Sequence, residues 1–342
     1  MDLDTVFKPS LNETIFTLDQ TYAFLDKHKT EELASFAEAL EVRFNENQFY
    51  LVIDNEVFLF TRDSFLDFCT LLGISKTFAN KIPNELLLQC IEKMLSTSLV
   101  KIRFEVRDKN VIAQCKKEAF SRIDPETFFQ EADPVFNRSN FREANIGDNL
   151  VTMLVEPRGK STIQVANDPF EIGVSFSLGL GKGLLEAQPY SLRHCCTNIA
   201  SSYSRTPRNN LIQRLSPKTP GSYNRLVDSF EDKLYDNYKE ELSGRIELCM
   251  QAPLTEYDYC LVFNNLKPLL GGEVALALLN VDKFRHAEIM SEVKAKHLRD
   301  EKADNPLEDL SKWETWNQVT AAAKGYVGED RIALQSVGGL LV

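Results

Sequence analysis

The sequence predicts an α+β protein, with antiparallel hairpins and packed helices in the first two thirds and a helical C-terminal third. Three observations predict it. Val100, Ile102, Phe104 and Val106 alternate with Lys101, Arg103, Glu105 and Arg107; Asp108-Lys109-Asn110 then turns the chain into Val111, Ala113 and Cys115, which reads as a half-buried hairpin. Residues 150–156 and 171–178 are strand-like, with Ile172, Val174, Phe176 and Leu178 on one face. From residue 226 to the end the apolar period is helical. Strands joined by short turns favour antiparallel pairing over a doubly wound sheet.

Taken in order, residues 1–48 read as an N-terminal helical segment, because Leu33, Phe36, Leu40 and Val42 fall near helical spacing. Residues 49–61 are β-branched and aromatic around Asp54-Asn55, a hairpin pattern. Helices are expected at 63–72 and 84–95, the second entered through Pro83 and Asn84. Asp124-Pro125 supplies a cap and a first-turn proline for another helix, and 134–148 reads as a polar, aromatic loop. Gly179 to Gly183 ends the strand before it, 190–196 is strand-like, and helices at 226–248, 257–270 and 274–298 precede two more. The expected parts are therefore 1–48, helical; 49–225, an α+β domain with a basic loop; and 226–342, a helical region.

At 342 residues and 43% hydrophobic composition, the chain can bury a sizeable core. No stretch approaches the roughly 18 apolar residues of a membrane helix, and Met1-Asp2-Leu3-Asp4 lacks the basic and apolar regions of a signal peptide. The expectation is a cytoplasmic protein with no membrane partner. Seven cysteines, an odd number lying mostly in apolar segments, point to buried thiols in a reducing compartment. Of the four histidines, only His194 lies beside cysteines, Cys195 and Cys196, and two ligands do not make a zinc site. No metal and no cofactor are expected.

Charge is distributed unevenly. Residues 187–227 hold six of the chain's 39 Lys and Arg and none of its 50 Asp and Glu, so a segment of +6 interrupts a remainder of −17. Its cations are Arg193, Arg205, Arg208, Arg214, Lys218 and Arg225, interleaved with Tyr190, Tyr203 and Tyr223. Guanidinium groups hold phosphates and tyrosines stack on unpaired bases, so the segment is a candidate single-stranded nucleic-acid footprint. Lys182, in the glycine-rich run just before it, and Lys101, Arg103 and Arg107 on the outer face of the first hairpin are its candidate extensions. The glycine run is no phosphate loop, because Gly183 and Leu184 follow Lys182 where a magnesium-binding hydroxyl is required.

Three stretches resemble, in order, the phage/plasmid-like protein family described as domain of unknown function nine-three-two. The first is Leu72-Gly73-Ile74-Ser75 through Lys81-Ile82-Pro83-Asn84-Glu85-Leu86, followed by the hairpin. The second is Arg193-His194-Cys195-Cys196-Thr197-Asn198, similar to that family's strand end, although Ile199 stands where the family carries glycine. The third is Trp316-Asn317-Gln318-Val319-Thr320, similar to its C-terminal helix. The resemblance implies a mobile-element protein of DNA metabolism or host conflict, working in the host cytoplasm, and it carries over no catalytic residue.

The leading expectation is a non-enzymatic, nucleic-acid-binding protein of a phage or plasmid that binds or anneals single-stranded DNA in recombination or replication, and self-associates. The alternative is a protein-interaction or assembly factor, either a host-defence inhibitor or a structural oligomer. A third reading, an enzyme centred on Arg193, His194, Cys196 and Asn198, requires those side chains to converge. Trp313, Trp316, Thr320, Ala323 and Val327 form a helical stripe that reads as core, with Asn317 placed to hydrogen-bond a neighbouring segment.

Overall fold

The computed structural model describes residues 5–118, 125–136, 139–157, 162–165, 168–179, 184–193, 198–201, 213–215, 234–326 and 328–341. In chain order the elements begin with β1 (Asn12–Ile15), α1 (Leu18–Lys27), β2 (Glu31–Phe36), β3 (Glu41–Asn45), β4 (Gln48–Ile53) and β5 (Glu56–Phe60). Then come α2 (Arg62–Leu71), α3 (Lys76–Ala79), α4 (Asn84–Leu95), β6 (Lys101–Arg107), β7 (Val111–Lys117) and α5 (Pro125–Phe136). The second half opens with β8 (Ser139–Gly147), β9 (Leu150–Pro157), β10 (Thr162–Val165), β11 (Asp168–Gly179), β12 (Leu184–Arg193), β13 (Asn198–Ser201) and β14 (Gln213–Leu215). It closes with α6 (Leu234–Gln251), β15 (Pro253–Thr255), α7 (Glu256–Leu270), α8 (Gly272–Leu278), α9 (Lys283–Leu298), β16 (Pro306–Ser311), α10 (Lys312–Ala322) and α11 (Gly328–Gly339). The class is α+β, with antiparallel and mixed sheets and helices concentrated in the C-terminal part.

The first sheet runs β2-β6-β7-β5-β4-β3, antiparallel throughout except for the short parallel pairing of β5 with β7. Glu46-Asn47 and Asp54-Asn55 turn its two tightest hairpins with φ of 50°, 60°, 49° and 69°, the left-handed backbone that matches strand twist. Thr61 caps α2 by accepting from the Ser64 amide at 3.2 Å, and the helix packs its apolar face on the sheet. Phe49 stacks on Phe65 at 4.5 Å, with Phe60, Phe68 and Phe104 around them, all fully buried. Each such ring contributes about 1.5–3 kcal/mol by leaving water.

The second sheet runs β1-β8-β9-β11-β12-β13, with β10 on β11 and β14 on β12. One of its faces packs Val151, Met153, Val155, Val174 and Phe176 against Phe128 and Phe129 of α5 and the apolar side of α1. Farther along β11, Phe170 and Ile172 join the core of the C-terminal helices, which contains Tyr259, Trp316 and Val319. No helix among the described residues is long and apolar enough to cross a membrane.

Four expectations need correction. Residues 31–43 are not helical: β2 pairs with β6, setting Leu33 opposite Phe104, and β3 pairs with β4, setting Val42 opposite Leu51. Pairing with available strands overrides an apolar spacing that fits either period. The expected loop at 134–148 contains β8, whose register shift between Phe141 and Glu143 breaks the alternation that marks a strand. The helix expected at 274–298 is two, because Asn280 turns with φ 54° and Asp282 caps α9 by accepting from the Phe284 and Arg285 amides at 2.8 Å. The helical last third also contains the small β15–β16 pair.

Candidate nucleic-acid interface

The hairpin cations lie on one face, but that face is covered. Arg103 and Arg107 are only 5% and 6% exposed. The Arg107 guanidinium donates to Asp148 Oδ1 at 3.0 Å, to Asp108 Oδ2 at 2.6 Å and to the Pro9 carbonyl. Asp148 also accepts from the Leu11 amide at 3.1 Å, so the β8–β9 turn and the N-terminal segment close over the hairpin together. Beside them Lys116 and Glu105 form a buried ion pair at 2.5 Å, and Arg103 Nε lies 3.8 Å from Glu32. Lys101, nearer the surface, donates to Glu118 at 2.5 Å and lies 5.7 Å from the Phe36 ring. A guanidinium already buried and paired cannot reach a phosphate without leaving its partner uncompensated. This removes Arg103 and Arg107 from the footprint.

Most of the basic segment lies outside the described residues, including Tyr203, Arg205, Arg208, Lys218, Tyr223 and Arg225, and so do Lys182, His194, Cys196 and Thr197. What is described is its root. β12 carries Tyr190 and Arg193, β13 returns beside it with Asn198 opposite Arg193, and β14 places Arg214 opposite Glu186. With His194 and Cys196 outside the described residues, the enzyme reading has only the Arg193–Asn198 register beneath it.

Arg193 meets the C-terminal helix α10. Its Nη1 donates to Asn317 Oδ1 at 3.2 Å, and its guanidinium lies 4.8 Å from the Trp313 ring centre. Trp313 stacks on Trp316 at 4.9 Å with only 5° between ring planes, and Phe170 packs against both. Asn317 is held for this role by its own helix, its Nδ2 donating to the Trp313 carbonyl at 2.8 Å. Thr320 is buried and donates to the Trp316 carbonyl at 2.7 Å. Two of the three motifs quoted from the sequence, 124 residues apart, therefore touch. In the described part of the helical stripe Trp316, Thr320 and Ala323 are at most 1% exposed and Trp313 is partly buried against the same core, while Val327 lies outside the described residues.

Tyr190 does not serve as a base-stacking surface. It is fully buried, donates to Glu156 Oε1 at 3.1 Å, and lies flat over Gly173, where an added Cβ would come within 2.6 Å of the ring. Arg142 bridges Glu156, at 3.0 Å, and Glu171. Burial first, then the Glu171 carboxylate, pushes Glu156 above the usual carboxylate range, and burial raises the Tyr190 hydroxyl well above its ordinary value. Sequence reasoning missed this cluster because its members come from four strands, and only Gly173, opposite Tyr190 in the β11–β12 register, hinted at a close approach.

The described cysteines, Cys69, Cys90, Cys115, Cys249 and Cys260, are free thiols, and burial pushes Cys69 and Cys249 up to about 12. Among the described residues no group of three His, Cys, Asp or Glu side chains is placed to hold a metal ion. No protein-family model, curated protein or solved structure matches the chain, so the family resemblance rests on the quoted motifs alone.

Proposed function

We propose that this is a nucleic-acid-binding protein of a phage or plasmid, selective for single strands and acting in recombination or replication, with residues 187–227 as its footprint. The observation that carries the reading is the separation of charge. The acid-free segment bears +6, whereas the competing hairpin cations Arg103 and Arg107 are buried against carboxylates. Arg193 ties the root of the segment to the stacked tryptophans of α10, a fixed base from which the remaining cations and Tyr203 and Tyr223 act on backbone and bases. Phosphate contacts of this kind release counterions, so affinity falls steeply with salt. The test is anisotropy of labelled single- and double-stranded oligonucleotides: tight, salt-sensitive, single-strand-selective binding supports the reading, and no binding at low salt overturns it.

A further inference from the structure

Among the described residues the first sheet ends at β2, which pairs with β6 on one side and with no strand on the other. An open edge leaves alternate backbone N–H and C=O groups free to pair with another chain. The Ala37 amide donates to the Val100 carbonyl at 2.9 Å, which continues the β2–β6 register by one residue. Bonded positions alternate along an antiparallel pair, so Glu31, Leu33 and Ser35 aim their backbone groups at β6, and Glu32, Ala34 and Phe36 aim theirs outward. Those three residues are exposed, and their side chains share one face of the sheet with Lys101 and Arg103. The Phe36 carbonyl accepts from the Ser35 hydroxyl at 3.4 Å and keeps a second acceptor position.

This edge complements itself. A two-fold axis through Ala34 sets Ala34 opposite Ala34 of a second copy, Glu32 opposite Phe36 and Leu33 opposite Ser35, so the outward backbone groups of both strands pair. No like charges face each other, and a small side chain stands at the axis. Each Glu32 carboxylate, 40% exposed, comes beside the Phe36 ring of the second copy, which has Lys101 at 5.7 Å from its centre. Exposed ion pairs contribute little energy, so Glu32 and Lys101 fix register more than affinity. Sliding the copies by two residues either way sets Phe36 or Glu32 opposite a residue beyond the end of β2. Leu33, partly buried at the margin of the first core, gains cover from the added strand.

We propose that the protein forms a two-fold dimer by antiparallel pairing of β2 with β2 of a second copy, joining the two six-stranded sheets into one. The proposal does not rest on the nucleic-acid reading. Sedimentation equilibrium of the full chain is expected to show a monomer–dimer equilibrium. Ala34→Pro removes an outward N–H, leaves the β2–β6 bonds in place, and is expected to raise the dimer dissociation constant at least tenfold. Ala34→Glu sets a carboxylate opposite Arg103 in its own chain and opposite its twin across the axis, and is expected to do the same. In Ala34→Cys the two thiols meet across the axis with Cα atoms about 5.5 Å apart, within disulfide reach. Oxidation with copper phenanthroline is expected to give a covalent dimer that the unmodified chain does not form. This last variant reads the gain of a link, so it keeps the test decisive if either of the others fails to fold. A chain that stays monomeric at its highest soluble concentration would leave the edge to an extended segment of another protein and overturn the proposal. A dimer that withstands both Ala34→Pro and Ala34→Glu, or an Ala34→Cys chain that forms no covalent dimer, would overturn it as well.

Discussion

The first hairpin and the end of β12 both present arginines, yet the structure uses them differently. Arg107 is clasped by two carboxylates and a carbonyl between the two sheets, where it fastens the fold. Arg193 is half-buried and donates to the Asn317 side-chain oxygen beside the Trp313 ring, at the root of a segment that contains no acid. The difference teaches that a basic residue buried together with its carboxylate partners, as Arg107 is, serves the fold and not a ligand. The alternating pattern of 100–107 placed Arg103 and Arg107 on a common face, but pattern does not reveal what covers a face.

The largest expected effect would break the comparison on the hairpin side. Arg107→Met leaves Asp148 buried and unpaired, and is expected to cost about 3–5 kcal/mol in urea unfolding. A loss under about 1 kcal/mol would mean that the clasp contributes little. Next is Gly173→Ala, whose Cβ would fall 2.4 Å from the Val155 carbonyl and 2.6 Å from the Tyr190 ring. It is expected to destabilise by about 1–3 kcal/mol, an overpacking cost read from the same urea curves.

A smaller effect concerns Glu156. Because burial and Glu171 raise it, its contribution to stability is present below its unfolded value and is lost as pH rises through the folded one. Glu156→Gln does not titrate, so its stability relative to the parent is expected to improve as pH rises above the ordinary carboxylate range, from about pH 4 upward. Thermal melts across that range that show a constant difference would contradict the assignment. The smallest is the Arg193–Asn317 coupling, expected at about 0.5–1.5 kcal/mol in a double-mutant cycle with alanine at each position.

The hairpins, the helices at 63–72 and 84–95 and the buried positions Trp316 and Thr320 of α10 were legible because each depends on neighbours in sequence. The strands at 31–45 were not, since their apolar spacing suits a helix until β6 and β4 offer edges to pair with. For the candidate site, the contact between the Arg193 strand end and the Asn317 helix was foreshadowed only as two separate motifs. The cluster of Arg142, Glu156, Glu171 and Tyr190 left no local trace beyond Gly173, because register across four strands assembles it.

The most direct test of the central claim compares two charge reversals in one salt series with labelled single-stranded DNA. If the five cations of 187–227 other than Arg193 touch phosphate, log affinity falls against log salt with a slope of about −3.5, at about 0.7 per contact. The account predicts that Arg205→Glu with Arg208→Glu weakens binding at least tenfold and flattens that slope, while Lys101→Glu on the hairpin changes affinity less than twofold. Unchanged binding by the double variant, or a larger loss from Lys101→Glu, would contradict it.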